Sequence, residues 1–170
     1  MNVFVDPSAG YALFNRRDDF HGAAARILRR LRDEAARLVP TNRIVVETTA
    51  LVAARLGRAA ARRWLADLLP VAEVLWVDRG VHGAAVAAFL GADGGVSLVD
   101  LVSFEVMRRM GLQWAFACDE DFSRHGFEVL QESWRSSALA FCPPKLPTSC
   151  LRSRAALRKH QTTIPGGSAP

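Results

Sequence analysis

The chain has 170 residues, of which 50% are hydrophobic and 23% charged, and this size and composition fit one soluble globular domain with some surplus. Residues 1–130 hold 16 arginines and 16 acidic residues, whereas residues 131–170 hold six basic residues and one acidic residue, so the net charge of +5 lies in the C-terminal part. No apolar stretch reaches the roughly 18 residues that span a bilayer, and Asp6 interrupts any N-terminal signal sequence, which predicts a cytoplasmic protein without a membrane segment.

Short strands and longer helices alternate along the first 130 residues. Apolar residues at three- and four-residue spacing indicate helices, and short β-branched or aromatic runs indicate strands. The predicted elements, in chain order, are a strand at 1–5, helices at 7–14 and 20–38, a strand at 38–40, helices at 42–57 and 59–69, a strand at 71–77, helices at 80–90 and 97–111, a strand at 114–118, a short turn or helix at 120–125 and a strand at 127–130. This alternation favours a largely parallel sheet covered by helices on both faces.

Side chains that accept a hydrogen bond from the first helical turn mark where helices begin. The expected caps are Asp18 or Asp19 for the second helix, Thr41 or Asn42 for the third, and Ser97 for the helix at 97–111. These caps support the helix starts that the apolar spacing predicts.

The C-terminal part differs in composition from the rest of the chain. Periodicity fades from residue 131, and residues 131–170 hold five of the eight prolines, with serine, threonine and glycine around the basic residues. We therefore expect a folded domain at 1–130 and a basic, mostly disordered tail at 131–170.

Aromatic and basic residues bear on whether the chain binds nucleic acid. Trp64, Trp76 and Trp114 fall within predicted helices or strands and are assigned to packing in the core or an interface, with base stacking as the alternative. The 20 arginines suit phosphate contacts, although a GC-rich coding genome explains them equally well.

Four acidic residues fall where a parallel sheet places its ligands, at the carboxyl ends of strands. Asp6 and Asp119 end predicted strands, and Glu47 and Asp100 lie within one or two turns of a helix start. Two carboxylates about 4 Å apart repel by on the order of 4 kcal/mol at an effective dielectric constant of 20. If the four converge, the cluster needs protons or a divalent cation.

Each of these acids also has a purely structural interpretation. Asp6 can cap the first helix, Asp119 can cap the turn that follows it, and Asp100 can complete a capping box. Glu47 is harder to explain in this way, because residues 44–50 are otherwise uncharged. Taken singly, local structure explains each acid better; taken together, they favour a functional site.

The available donor types indicate which cation such a site would hold. The three cysteines show no disulfide or zinc spacing, and the four histidines are scattered. Oxygen-only ligands favour Mg²⁺ or Mn²⁺, whose usual use is hydrolysis or transfer at phosphate. The P-loop, the receiver domain and the haloacid-dehalogenase phosphatase are excluded, because each needs a lysine and residues 1–130 contain none.

Several segments share their pattern with one known family. They are VFVDPS at 3–8, with proline where threonine is more usual, DFHGAA at 19–24, VETTAL at 46–51 with RLG at 55–57, VSLVDLVSFEVM at 96–107, AFACDEDF at 115–122 and GF at 126–127. On these segments the sequence resembles the PIN-domain family, especially the VapC-type toxin ribonucleases of bacterial toxin–antitoxin pairs. The resemblance spans about residues 2–130.

The resemblance implies a three-layer α/β/α fold with a central, mainly parallel sheet of four to five strands. It also implies an endoribonuclease that depends on Mg²⁺ or Mn²⁺. The catalytic and metal-binding residues that it implies are Asp6, Glu47, Asp100 and Asp119. Ser8 would support this site, and Asp121 is the alternative to Asp119 as the fourth acid.

The resemblance further implies the partners of the chain. Its substrate would be a transfer, messenger or ribosomal RNA, a small antitoxin protein would occupy the acidic groove, and a homodimer is expected. Two other functions stay open: a catalytically silent PIN-like module that binds RNA or protein, and a DNA nuclease or other phosphodiesterase that uses the same carboxylates. Carboxylates do not read the sugar, so dependence on the 2′-hydroxyl decides between RNA and DNA.

Overall fold

A computed structural model describes residues 1–92 and 94–131 of the chain. The strands are β1 (Asn2–Val5), β2 (Arg37–Val39), β3 (Trp114–Phe116) and β4 (Glu128–Val129), and the helices are α1 (Pro7–Phe14), α2 (His21–Asp33), α3 (Asn42–Leu56), α4 (Arg58–Leu68), α5 (Arg79–Gly91), α6 (Leu98–Met110) and α7 (Asp121–Arg124). In this part of the chain, no helix is both long enough and apolar enough to cross a membrane.

The four strands form one sheet in the order β2-β1-β3-β4, and each neighbouring pair is parallel. β1 lies between β2 and β3, so Val3 is opposite Leu38 on one side and Trp114 on the other. The chain first adds β2 on one side of β1 and later adds β3 on the other side. Such a reversal of strand order opens a crevice at the carboxyl ends of the two strands concerned, here β1 and β3.

Helices cover both faces of the sheet, because successive strand residues point to opposite faces. On one face, Val3, Val5 and Phe116 pack with apolar residues of α1 and α2. On the other face, Phe4 and Ala115 pack with residues of α3, α5, α6 and α7. Each large apolar side chain that is fully buried stabilises the fold by about 1.5–3 kcal/mol. The predicted three-layer α/β/α architecture is therefore confirmed, with a parallel sheet of four strands.

The strand predicted at 71–77 is wrong. This segment forms only two isolated parallel bridges, Leu38 with Ala72 and Thr41 with Leu75. Leu75 donates its backbone N–H to the carbonyl of Pro40 at 2.9 Å, and proline has no N–H with which to continue the ladder. The segment therefore runs alongside β2 without becoming a regular fifth strand.

The predicted helix at 20–38 is also too long, and its predicted cap is wrong. α2 starts after Phe20, with no side-chain cap, and Asp18 instead accepts a hydrogen bond from the Phe20 backbone N–H before the helix begins. At the other end, Ala35 adopts a left-handed backbone conformation, with φ of 49°. Ala36 then donates its N–H to the carbonyl of Leu31 at 2.8 Å, a Schellman ending. The chain turns here so that the residues up to 38 can enter β2.

The predicted caps of the helices at 42–57 and 97–111 are confirmed. Thr41 accepts a hydrogen bond from Ile44 N–H at the start of α3, and Ser97 accepts one from Asp100 N–H at the start of α6. The basic tail predicted at 131–170 lies outside the described residues apart from Gln131. Its predicted disorder therefore stays a prediction.

Gly10 is the position where α1 approaches α3 and α4 most closely. A Cβ atom at Gly10 would lie 3.0 Å from both Thr48 Cγ2 and Trp64 Cη2. Overpacking of this kind costs about 1–3 kcal/mol, so Gly10→Ala is expected to lower the free energy of unfolding by that amount in urea denaturation. Gly83→Ala in α5 is the matched control, because nothing lies within 4 Å of its added Cβ and alanine is the better helix former. Equal stability of the two variants would contradict this packing.

Candidate active site

The crevice between β1 and β3 has an aspartate at each side. Asp6 directly follows β1, and Asp119 lies shortly after the end of β3. The backbone N–H of Asp6 donates to the carbonyl of Phe116 at 3.0 Å, which holds the two strand ends together. Glu47 in the second turn of α3 and Asp100 in the first turn of α6 are the other predicted acids.

Asp6 is the most buried of the predicted site residues, with 3% of its surface exposed. Its Oδ2 atom caps α1 by accepting hydrogen bonds from the backbone N–H of Ser8 at 2.9 Å and from the Ser8 hydroxyl at 2.5 Å. Its Oδ1 atom is buried and has no hydrogen-bond partner among the described residues. The cap that the sequence predicts is therefore present, yet it uses only one of the two carboxyl oxygens.

Burial also changes the ionisation of Asp6. Loss of water raises the pKa of this carboxyl group from 3.8 to about 7; the Ser8 hydrogen bonds oppose the shift, and the charges of Asp119 and Asp100 add to it. Strongly shifted carboxyl groups cluster at functional sites. Asp6 has both this shift and an oxygen atom left without a partner.

Ser8 connects the two sides of the crevice. Its hydroxyl accepts a hydrogen bond from the backbone N–H of Cys118 at 3.0 Å, and its single proton can go to Asp6 Oδ2 at 2.5 Å or to Asp119 Oδ2 at 3.5 Å. The shorter contact is the stronger hydrogen bond. Ser8 therefore orients the Asp6 carboxylate and holds the segment that leads to Asp119 close to it.

The surroundings of Asp119 and Asp121 differ in charge. Asp121 Oδ1 accepts a hydrogen bond from Arg124 at 3.1 Å within α7, so an arginine already offsets its charge. Asp119 Oδ1 accepts the backbone N–H of Asp121 at 3.1 Å, and its Oδ2 faces Ser8. Burial, and next the charges of Asp100 and Asp121, raise the pKa of Asp119. Asp119 is thus the acid whose charge stays available to the crevice.

Asp100 links the four acids electrostatically. Its charge contributes to a raised pKa at each of the other three, Asp6, Glu47 and Asp119. For Glu47, burial is the larger cause and Asp100 the second. Asp100 forms one half of the predicted capping box, because its backbone N–H donates to the Ser97 hydroxyl at 3.1 Å, and this hydroxyl donates to Asp100 Oδ2 at 2.6 Å. Asp100 therefore lies close enough to each of these three acids to act on its ionisation, and the Ser8 hydroxyl links Asp6 to Asp119.

The four predicted acids offer only oxygen atoms to a divalent cation. Among the described residues, no three acidic, histidine or cysteine side chains are placed together so that they could hold one metal ion. The donor set nevertheless fits a hard cation, because Asp6 Oδ1 is buried without a hydrogen-bond partner among the described residues and the charges of Asp119 and Asp100 act on the same carboxyl group. Repulsion separates such carboxylates when no cation offsets their charge.

Cys118 and Asp18 lie at the same crevice, although the sequence interpretation gave neither a place there. Burial raises the pKa of the Cys118 thiol to about 11, and the charge of Asp18 is the next largest cause, ahead of Asp6 and Asp119. A thiol with this pKa stays protonated at neutral pH, so it is neither a nucleophile nor a ready metal ligand. No local sequence signal pairs Asp18 with Cys118, because the two residues are far apart in the sequence.

Trp76 lies outside the core of the described chain. Its side chain is 59% exposed, whereas Trp64 is almost fully buried and Trp114 is half-buried. Packing in the core is therefore confirmed for Trp64, whereas for Trp76 the predicted packing in an interface and the alternative of base stacking both stay predictions. The alternation of Leu75 inward and Trp76 outward follows from the parallel bridge between Thr41 and Leu75.

Comparisons with known proteins agree with this geometry. The PIN domain family model matches residues 3–128. The 23S rRNA-specific endonuclease VapC20 of Mycobacterium tuberculosis is 35% identical over 127 residues, which are 74% of this chain and 95% of that protein. The crystal structure of M. tuberculosis VapC20 is described as that of a sarcin-ricin loop cleaving toxin. It matches this structure with a TM-score of 0.68 at 34% sequence identity, over 76% of this chain and 98% of that chain. VapBC2 from Rickettsia felis, bound to a promoter DNA fragment, shares the fold with a TM-score of 0.59 at 11% identity, over 76% of this chain and 98% of that one.

Proposed function

The chain belongs to the PIN-domain family, and on that premise we propose that it is a metal-dependent endoribonuclease and the toxin of a toxin–antitoxin pair. The observation that carries the proposal is the contact of Asp6, Ser8 and Asp119 at the carboxyl ends of β1 and β3, with Glu47 and Asp100 near the starts of α3 and α6. The names of the M. tuberculosis relative, an rRNA endonuclease and a toxin, support the same function. Ribosomal RNA is the first substrate to test, ahead of transfer and messenger RNA.

The proposed cofactor is Mg²⁺ or Mn²⁺, since all the donors are oxygen atoms. The residues that would hold it are Asp6, Glu47, Asp100 and Asp119. When bound there, the cation supplies charge stabilisation at phosphate and lowers the pKa of a water molecule for in-line attack on an RNA phosphodiester.

The protein residues have separate tasks in this proposal. Asp6 gives up its proton when it becomes a ligand, because carboxyl groups ligate metals in their ionised form. Ser8 fixes the orientation of the Asp6 carboxylate through the 2.5 Å hydrogen bond to Oδ2, which leaves Oδ1 without a hydrogen-bond partner among the described residues. Asp119 is the fourth ligand, and Asp121 stays with Arg124 as a neighbour.

The proposed partners follow from the toxin function. A small antitoxin protein would cover the acidic crevice and so block access of RNA to the carboxylates. A homodimer and a cytoplasmic location, where RNA substrates are found, belong to the same proposal. Sedimentation of the purified chain measures whether it forms a homodimer. The same measurement with a candidate antitoxin protein added measures whether the two bind.

RNA cleavage by the purified chain tests the function. We expect total RNA and ribosomal RNA to be cut in Mg²⁺ or Mn²⁺ and to stay intact in EDTA. DNA of the same sequence should stay uncut, since a ribonuclease depends on the 2′-hydroxyl of RNA. Cleavage of that DNA would instead favour a DNA nuclease that uses the same carboxylates. A folded chain that binds RNA but leaves every RNA uncut would instead favour the catalytically silent module.

A further inference from the structure

Trp76 is an exposed aromatic residue whose backbone is held on both sides. The carbonyl of Leu75 accepts the N–H of Asn42 at 2.8 Å, and the N–H of Val77 donates to the side chain of Asn42 at 3.0 Å. One residue at the start of α3 therefore fixes the backbone before and after Trp76. The indole ring is 59% exposed on this fixed backbone, so little conformational freedom of the chain is lost when a flat ligand binds to it.

Trp76 lies at the same edge of the sheet as the four acids. The bridges from Leu38 to Ala72 and from Thr41 to Leu75 are parallel, so residue 76 comes at the carboxyl end of this segment, as Asp6 does for β1. The segment lies beside β2, which lies beside β1. Neighbouring strands lie about 4.8 Å apart. The segment that carries Trp76 is two strand positions away from β1, so it lies about 10 Å from β1 along this edge of the sheet. A short stretch of RNA can reach both places.

Two arginines belong to the segments around Trp76: Arg79 comes shortly after it in the sequence, and Arg43 is next to Asn42, which hydrogen-bonds to Leu75 and Val77. Arg43 follows Asn42 at the start of α3, and Arg79 is the first residue of α5. Both are exposed, and neither forms an ion pair or a hydrogen bond within the described residues. The acid nearest in sequence, Asp78, uses its Oδ1 to cap α5 by accepting from Val81 N–H at 2.8 Å. The surroundings of Trp76 thus combine an aromatic face with unpaired positive charge, which favours a nucleic acid over an apolar protein surface.

We infer that Trp76 is a stacking platform for an unpaired base of the RNA substrate, with Arg43 and Arg79 contacting the flanking phosphates. The inference rests on the proposed function and adds to it a positioning site outside the acidic crevice. Stacking on an aromatic face tolerates different bases. The platform therefore requires a single-stranded or looped segment of RNA, since bases within a duplex have no free face.

The test compares Trp76→Ala with Trp76→Phe and with Phe89→Ala. Phe89 is the matched control, because it is also an exposed aromatic residue, at 47%, and lies on α5 about 15 Å from the helix start. We expect Trp76→Ala to raise KM for RNA cleavage about tenfold or more with kcat little changed. Trp76→Phe and Phe89→Ala should keep KM within about threefold of the wild type. The dissociation constant for the same RNA, measured in EDTA by fluorescence anisotropy, should follow KM.

Each outcome bears on the inference separately from the nuclease proposal. A Trp76→Ala variant with unchanged KM and unchanged RNA affinity would overturn the platform and leave the nuclease intact. If the wild type cuts no RNA but binds it through Trp76, the nuclease proposal fails and the platform stands. A shift from dimer to monomer in sedimentation of Trp76→Ala, absent for Phe89→Ala, would overturn the platform and assign Trp76 to an interface with a second copy of the chain.

Discussion

Asp6→Asn is expected to reduce RNA cleavage by about a hundredfold or more while the chain stays folded. Asparagine keeps the shape of the buried side chain and can still accept the Ser8 hydrogen bonds, but it lacks the negative charge and one of the two oxygens. The oxygen that the substitution replaces is Oδ1, which has no hydrogen-bond partner among the described residues. Loss of a charged ligand removes several kcal/mol of stabilisation at phosphate, and each 1.36 kcal/mol is tenfold in rate. Single-turnover cleavage of RNA in Mn²⁺ measures the effect.

Two further variants make this result specific to the crevice. Asp67→Asn is the matched control, because Asp67 is an exposed acid on α4 away from the crevice, and its cleavage rate should equal that of the wild type. Asp119→Asn should behave as Asp6→Asn does, whereas Asp121→Asn should lose much less, since Arg124 holds that carboxylate. Full activity of Asp119→Asn together with an inactive Asp121→Asn would assign the fourth acid to Asp121.

The metal-free wild type is expected to be more stable near pH 5 than near pH 8. The pKa of Asp6 is raised from 3.8 to about 7 in the folded chain, so between these values the folded state holds a proton that the unfolded state has lost. The free energy of unfolding therefore falls as the pH rises through this window. Between pH 5 and pH 8 this change amounts to about 3 kcal/mol, because only the part of the window above pH 5 contributes. The raised pKa values of Glu47 and Asp119 act in the same direction.

Asp6→Asn should remove most of this pH dependence. A neutral side chain carries no charge to bury, so the variant is expected to be more stable than the metal-free wild type at pH 8, by a margin that is about 3 kcal/mol smaller at pH 5. Urea denaturation in EDTA at the two pH values measures both comparisons, with Asp67→Asn as the control that keeps the wild-type slope. A wild type that gains stability from pH 5 to pH 8 would show that Asp6 is not a buried carboxyl group of raised pKa.

Most of the fold can be predicted from the sequence, because strands, helix starts and helix caps are determined by residues that are close together in the chain. The run at 1–5 and the proline after it predict β1 and α1, and Thr41 and Ser97 cap the helices that they were expected to cap. Asp6 and Asp119 follow strands in sequence, so their place at the carboxyl edge follows from a parallel sheet. The same rules predict Asp6 as a cap without revealing that its Oδ1 stays free.

The remaining features depend on contacts between distant segments. The segment at 71–77 has strand composition, yet it lies beside a short β2 that ends at Pro40, and only isolated bridges form. α2 ends early because Ala35 adopts a left-handed conformation, which alanine rarely does. The exposure of Trp76 also depends on the one-sided contact of its segment with β2 and α3. Helical or strand periodicity alone carries none of this information.

The central claim is that the acidic crevice binds the catalytic cation, and a Mn²⁺ titration followed by electron paramagnetic resonance tests it most directly. Asp100 is the residue to change, since its charge acts on Asp6, Glu47 and Asp119 alike. We expect saturable Mn²⁺ binding by the wild type and by Asp67→Asn, and affinity at least about tenfold weaker for Asp100→Asn, because a charged ligand is lost. Equal Mn²⁺ affinity of the wild type and Asp100→Asn, or no saturable binding by a wild type that still cleaves RNA, would contradict the claim.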